Sequence, residues 1–125
     1  MKSPWKTIKA LDPTLEYVVL ASSIPPKSVA STGRLFRGSR AVRKQLMATE
    51  GVMGFSMLAE PLRKHYATLS VWRDEAALDG FVGAHPHDEL MTSLVAEMDA
   101  TKFVRWTISG ANGHPTWREA LDRLG

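Results

Sequence analysis

Between His65 and His87 the spacing of apolar residues changes period, and the change dictates a strand, a corner and a helix in direct succession. From His65 to Trp72 the side chains alternate: His65, Ala67, Leu69 and Val71 on one side, Tyr66, Thr68, Ser70 and Trp72 on the other. Alternation in a β-branched and aromatic run marks a half-buried strand. Past the corner, Leu78, Phe81, Val82 and His85 fall at i, i+3, i+4 and i+7, one face of a helix. Asp74 stands where an N-cap belongs and Glu75 follows in the first turn, both suited to the positive end of the helix dipole. The rest of the chain has to pack on this sheet-plus-helix layer.

Residues 1–13, punctuated by Pro4 and Pro13, are expected to be an irregular lead-in with Trp5 tucked onto the body. Leu15–Ser22 is a first strand, apolar on both sides and so interior to a sheet. The prolines of SSIPPK end it, because they cannot donate to a ladder. A helix follows, starting between Thr32 and Arg37 and ending near Ala48, with Leu35, Ser39, Val42 and Leu46 on one face. Gly51 supplies the glycine wanted past its end. Val52–Glu60 is a second strand, with Val52, Gly54, Ser56 and Leu58 facing one way and Met53, Phe55, Met57 and Ala59 the other. The link Pro61–Lys64 is short enough to make an antiparallel hairpin with His65–Trp72. Pro86 breaks the second crossover and opens a new helix carrying Leu90, Met91, Leu94, Val95 and Met98. Thr101–Gly110 is the fourth strand, with Phe103, Arg105 and Thr107 opposite Val104, Trp106 and Ile108. After the ANGHP loop, Thr116 and Glu119 form a capping-box pattern ahead of a short amphipathic helix.

The order β-α-β-β-α-β predicts an α+β, ferredoxin-like fold: a four-stranded antiparallel sheet, helices on one face and an extra C-terminal helix. At 125 residues, one domain spanning 1–125 is expected. The strands are apolar on both sides while the helices cover one. The second face is therefore expected to stand bare in a single chain and to be buried in a homodimer paired through it.

The chain has no cysteine, which removes disulfides, thiolate chemistry and Cys-bound metal and fits a cytoplasmic protein. No apolar run approaches the roughly 18 residues of a membrane-spanning helix, and the first residues lack the apolar stretch of a signal peptide. The net charge is +3, but Arg34, Arg37, Arg40 and Arg43 recur in steps of three. Such steps spiral around a helix by about 60° each. They fit a solvated face, so no nucleic-acid partner is expected. Ser23, Ser70 and Ser93 lack a nucleophile-elbow context and the glycines form no phosphate loop, which argues against hydrolase and nucleotide chemistry.

The residues suited to chemistry are fewer. His85 lies on an apolar helix face beside Pro86: a buried histidine bonded to a carbonyl, or a proton acceptor or ligand. His87 follows at a helix N-terminus, where the dipole favours a neutral imidazole able to accept a proton or to ligate haem iron. Pro86 breaks the register that chelation by this pair needs, so no metal site is expected. Arg105, inside a strand, needs a carboxylate such as Glu16 or an anionic ligand. Trp72 and Trp106 are core residues or substrate platforms.

The run TLSVWRDEAALDGFV, with His85 and His87 after it, GVMGFSM before it and FVRW beyond it, resembles the dimeric α/β-barrel superfamily over about residues 15–124. It is most similar to antibiotic-biosynthesis monooxygenase-type proteins and to small proteins related to spheroidene monooxygenase. The resemblance implies a homodimer in which sheet faces pair into a barrel. It also implies a place among cofactor-free quinol oxygenases, haem-degrading oxygenases, haem-bound carotenoid oxygenases or members without known activity. Trp72, Tyr66 and Arg105 match residue types that the cofactor-free members set around a polyphenol. His85 or His87 corresponds to the crossover histidine of the haem-degrading ones. The asparagine used by both groups is missing from the strands; Asn112 is in a loop. The resulting expectation is a monooxygenase-like protein that binds a small aromatic or polycyclic substrate between sheet and helices. Trp72, Tyr66, Trp106 and Phe55 would contact the substrate, Arg105 would stabilise its anion and His87 or His85 would take the proton, with no cofactor required. The alternatives are a non-catalytic ligand-binding or interaction dimer, or a haem protein using His85 or His87.

Overall fold

The strand–corner–helix unit forms as its periodicity requires as far as Val82. The computed structural model describes residues 4–25, 37, 40–41, 43–60, 65–82 and 102–125. In these, β1 (Lys6–Thr7), β2 (Glu16–Ser23), β3 (Val52–Glu60), β4 (His65–Trp72) and β5 (Lys102–Ser109) form one sheet in the order β1-β3-β4-β2-β5. Every neighbouring pair is antiparallel. Two helices, α1 (Glu75–Val82) and α2 (Trp117–Leu124), and helical residues 43–48 complete the described framework. The order of the four long strands is the ferredoxin-like one. The expected helix over Leu90–Met98 and the break at Pro86 lie outside the described residues.

The lead-in is not wholly irregular. Lys6 and Thr7 pair with Phe55 and Gly54, adding a short fifth strand at the edge. Gly54 makes the approach possible. A Cβ there would lie 2.8 Å from the Trp5 indole and 2.9 Å from the Lys6 carbonyl oxygen. Strict alternation in β3 also fails at its start. The register shifts between Val52, opposite Trp72, and Gly54, opposite Val71. This bulge turns Val52 onto the same face as Phe55.

Each face carries its own core. On one, Val18, Val52, Phe55 and Trp72 pack with Leu78 and Phe81 of α1 and with Leu46. Burying Leu78 and Phe81 stabilises this layer by about 1.5–3 kcal/mol per side chain. Asp74 caps α1 by accepting the Ala77 N–H at 2.8 Å. On the other face, Tyr17, Val19, Ala21, Met53, Leu69 and Val71 pack with Ala120 and Leu124 of α2, flanked by Trp5 and Leu11.

That second core corrects the expectation of a bare face. Val19, Ala21, Leu69 and Val71 are 0% exposed in a single chain. The short helix suffices because it is pinned at both ends and across the sheet. Thr116 Oγ1 accepts from the Glu119 N–H at 3.2 Å, and the Gly125 N–H returns to Leu121 O at 2.9 Å. The Trp117 indole N–H donates to Ser56 Oγ on β3 at 2.9 Å. None of the helices among the described residues is long and apolar enough to cross a membrane.

Candidate functional site

Strand pairing decides which side chains share a face. One row on the α1 side runs Phe55 (β3), Ser70 (β4), Leu20 (β2), Arg105 (β5); the next runs Met57, Thr68, Ser22, Phe103. Trp72 and Val18 pair in the row beyond, and Tyr66 pairs with Ala59 at the other end. Phe55, Tyr66, Trp72 and Arg105 therefore lie on one face, beneath α1. Trp106 pairs with Val19 and belongs to the opposite core. There its ring lies 4.6 Å from the Arg123 guanidinium, and its buried indole N–H has no partner among the described residues. His85 and His87 lie outside the described residues.

The aromatic members are held firmly. Trp72 donates its indole N–H to Ser70 Oγ at 2.8 Å, and its ring sits 5.1 Å from that of Phe81. The Tyr66 hydroxyl donates to Met57 Sδ at 3.4 Å. The Arg43 guanidinium lies 5.5 Å over the Phe55 ring. Phe55, Tyr66 and Trp72 are 2%, 5% and 1% exposed, so they form the wall of this layer. Its open part lies toward β5, where Phe103 is 53% exposed.

Arg105 occupies that open edge. Its Nη2 donates to Asp79 Oδ1 on α1 at 3.0 Å, and both side chains meet solvent. Glu16, the partner suggested by sequence, sits opposite Ser109 at the strand's end. Asp79 was missed because nothing in a linear sequence ties the solvent side of α1 to an edge strand. Ser22 and Thr68 were missed as well. Their hydroxyls bond to each other across β2 and β4. The available signal was a set of small hydroxyl residues at in-facing positions of otherwise apolar strands.

Among the described residues no group of three or more His, Asp and Glu side chains is arranged to hold a metal ion. The described His114 is engaged elsewhere, stacked on Trp5 at 4.6 Å. A cleft of about 280 Å³ beside that stack, lined by Trp5, Lys9, Leu11 and Met53 among others, is built on the opposite core. The chemistry available on the α1 side is thus a solvent-reaching guanidinium, a pair of hydroxyl groups and an aromatic wall.

Residues 27–125 match the family described as "Domain of unknown function (DUF3291)". No curated protein matches the chain by sequence. Among solved structures, the chain is similar to SnoaB, described as a cofactor-independent oxygenase from Streptomyces nogalater. The TM-score is 0.59 at 17% identity, covering 75% of this chain and 94% of that one. A conserved protein from Methanosarcina mazei Go1 is similar with a TM-score of 0.65 at 16% identity, covering 72% and 90%. A Nitrosomonas europaea protein named provisionally as an antibiotic biosynthesis monooxygenase is similar with a TM-score of 0.63 at 15% identity, covering 72% and 95%. These likenesses establish the α+β, ferredoxin-like fold expected from the sequence.

Proposed function

The chain belongs to the DUF3291 family, and on that premise we propose that it is a monooxygenase-like protein acting on a small aromatic or polycyclic substrate. The substrate is held between the sheet and the helices and is oxidised by dioxygen without a resident cofactor. One observation carries this: Phe55, Tyr66 and Trp72 share a face with Arg105, and the guanidinium stands at that face's open edge. Arg105 stabilises the substrate anion, and His87 or His85 takes the proton. Dioxygen then reacts with the electron-rich carbon. A ring CH₂ becomes C=O, the second oxygen atom leaves as water with both hydrogens, and the substrate supplies all the electrons. The likeness to SnoaB, described as cofactor-independent, supports this choice. The protein is taken to work in the cytoplasm, in keeping with its lack of cysteine, and as a homodimer.

Oxygen uptake measured with a panel of dihydroxyarenes and anthrones tests the proposal. Arg105→Ala is expected to lower the rate by about a hundredfold, as loss of one anion-stabilising donor does. Absence of substrate-dependent uptake across the panel sinks it.

A non-catalytic ligand-binding or interaction dimer is the second reading, favoured by the strand asparagine that the chain lacks. It predicts binding without uptake. Haem binding rests on His85 and His87 alone. A Soret band on titrating haemin, lost in His85→Ala or His87→Ala, would replace both readings with that one.

A further inference from the structure

The row Met57, Thr68, Ser22, Phe103 crosses four strands of the sheet on the α1 side. Its centre is polar and its ends are apolar. Met57 and Thr68 are half-buried although they lie in mid-strand, and so is Leu20 in the adjoining row. On the opposite face the same strands carry Leu58, Leu69 and Ala21 at 2%, 0% and 0% exposure. The α1 side is thus the less completely covered face over the middle of the sheet.

The hydroxyls at that point are not fully used. Ser22 and Thr68 are hydrogen-bonded to each other, which consumes one of their two hydrogens. Among the described residues, the other hydrogen has no acceptor. Ser70, in the next row, accepts from Trp72 and likewise has its own O–H to give. Valine or alanine would fill these in-facing positions without the desolvation cost of an under-used hydroxyl. One spare donor between the Met57 thioether and the Phe103 ring, with the Ser70 hydroxyl one row away between Phe55 and Leu20, suits a flat molecule with an oxygen atom near its middle.

We propose that the Ser22–Thr68 hydroxyl pair, reached from the half-buried Thr68 side, is the point at which this face recognises an oxygen of its ligand. The ligand class is therefore an aromatic ketone, quinone or phenol, not a bare polycyclic hydrocarbon. The Tyr66–Met57 contact holds the thioether end of the row, Phe103 supplies the aromatic end, and Arg105 stands one row away to meet a negative charge. This rests on the proposed placement of substrate between sheet and helices, and it adds what that substrate must carry.

The test compares two probes of similar shape, 2-hydroxy-1,4-naphthoquinone and naphthalene, by equilibrium dialysis. Wild type should prefer the quinone. Thr68→Val should weaken quinone binding by about tenfold, the effect of one lost hydrogen bond to a desolvated acceptor, and leave naphthalene within twofold. Thr68→Ser, which keeps the hydroxyl, should retain quinone binding. Ser22→Ala should lose it, giving a second readout if the valine variant does not fold. Equal affinity for both probes in wild type, no binding of either, or an equal loss of both in the variants overturns the proposal. Oxygen uptake separates it from the functional reading. Thr68-dependent quinone selectivity without uptake sinks the oxygenase reading alone. Uptake whose KM is unchanged in Thr68→Val sinks the hydroxyl-pair proposal alone.

Discussion

Arg105 on the edge strand β5 and Asp79 on α1 meet at 3.0 Å across 26 residues of sequence, with side chains 39% and 63% exposed. An ion pair this open to water contributes little to stability, typically about 0–1 kcal/mol. Its consequence is positional. The carboxylate fixes the guanidinium at an open edge of the aromatic face, and an incoming anion has to compete with it.

Removing the competitor should therefore help an anionic ligand. Asp79→Asn is expected to change the urea midpoint by less than about 0.5 kcal/mol-equivalent. It should also tighten binding of anionic 2-hydroxy-1,4-naphthoquinone several-fold, and the gain should shrink as salt rises. Unchanged affinity at low salt would mean that Arg105 does not face the ligand.

Gly51 joins the end of the first helical run to β3 with φ at +97°. A Cβ there would stand 2.5 Å from the Cβ of Ala77 on α1, and the Gly51 carbonyl accepts the Arg73 N–H at 2.7 Å. Both the dihedral and the close approach require glycine. Gly51→Ala should destabilise the fold by about 1–3 kcal/mol, read as a lower urea midpoint with an unchanged slope. A neutral substitution would show that α1 can move away from this turn.

The contrast between Gly51 and Gly54 shows what a linear sequence reveals. A glycine past a helix end announces itself by position, and Gly51 is where the helix pattern asks for one. Gly54 makes room for Trp5 and β1, partners 47 or more residues away, and only the folded chain shows the need. The same division runs through the site. Alternation in β4 and β5 placed Tyr66 and Trp72 on one side of their strand and Arg105 opposite Trp106, all local facts. Which side of β5 matches which side of β4 depends on register through β2. Asp79 and the Ser22–Thr68 pair depend on that register, and the cover over the second face depends on how α2 docks. The bulge at Val52 shifted one residue's face, which period-two counting cannot foresee.

The cap of α1 should titrate. The Ala77 N–H bonded to the Asp74 carboxylate holds its pKa below the ordinary value of 3.8, opposed by desolvation and aided, to a lesser extent, by Arg73. Because the folded state binds this proton less readily than the unfolded chain, the stabilisation is fully present above the ordinary value. It is lost as pH falls through the lowered one. Asp12, held down chiefly by the Thr14 hydroxyl, acts in the same sense. Asp74→Asn keeps a capping oxygen without the acid titration. Wild type should hold its largest advantage over this variant near neutrality and lose it as pH drops from about 5 towards 2. Urea midpoints that stay a constant distance apart over this range would contradict the assignment.

A homodimer is expected from what α2 leaves uncovered. In one chain the central strands of the second face are sealed by Ala120, Leu124, Trp5 and Leu11. Toward β5, however, Val104, Trp106 and Ile108 are only half-buried, and Leu15 ahead of β2 is 51% exposed. A second copy would cover these side chains with its own equivalents, as a two-fold interface must. Each Å² of apolar surface so removed from water gains about 25 cal/mol, and a stable pair needs about 800 Å² per partner. Sedimentation equilibrium at micromolar concentration should then give twice the 13.8 kDa chain mass. Leu15→Lys should weaken the association while leaving the thermal midpoint of the dissociated chain unchanged. A stably folded monomer at that concentration would show that α2, Trp5 and Leu11 already satisfy the face within one chain.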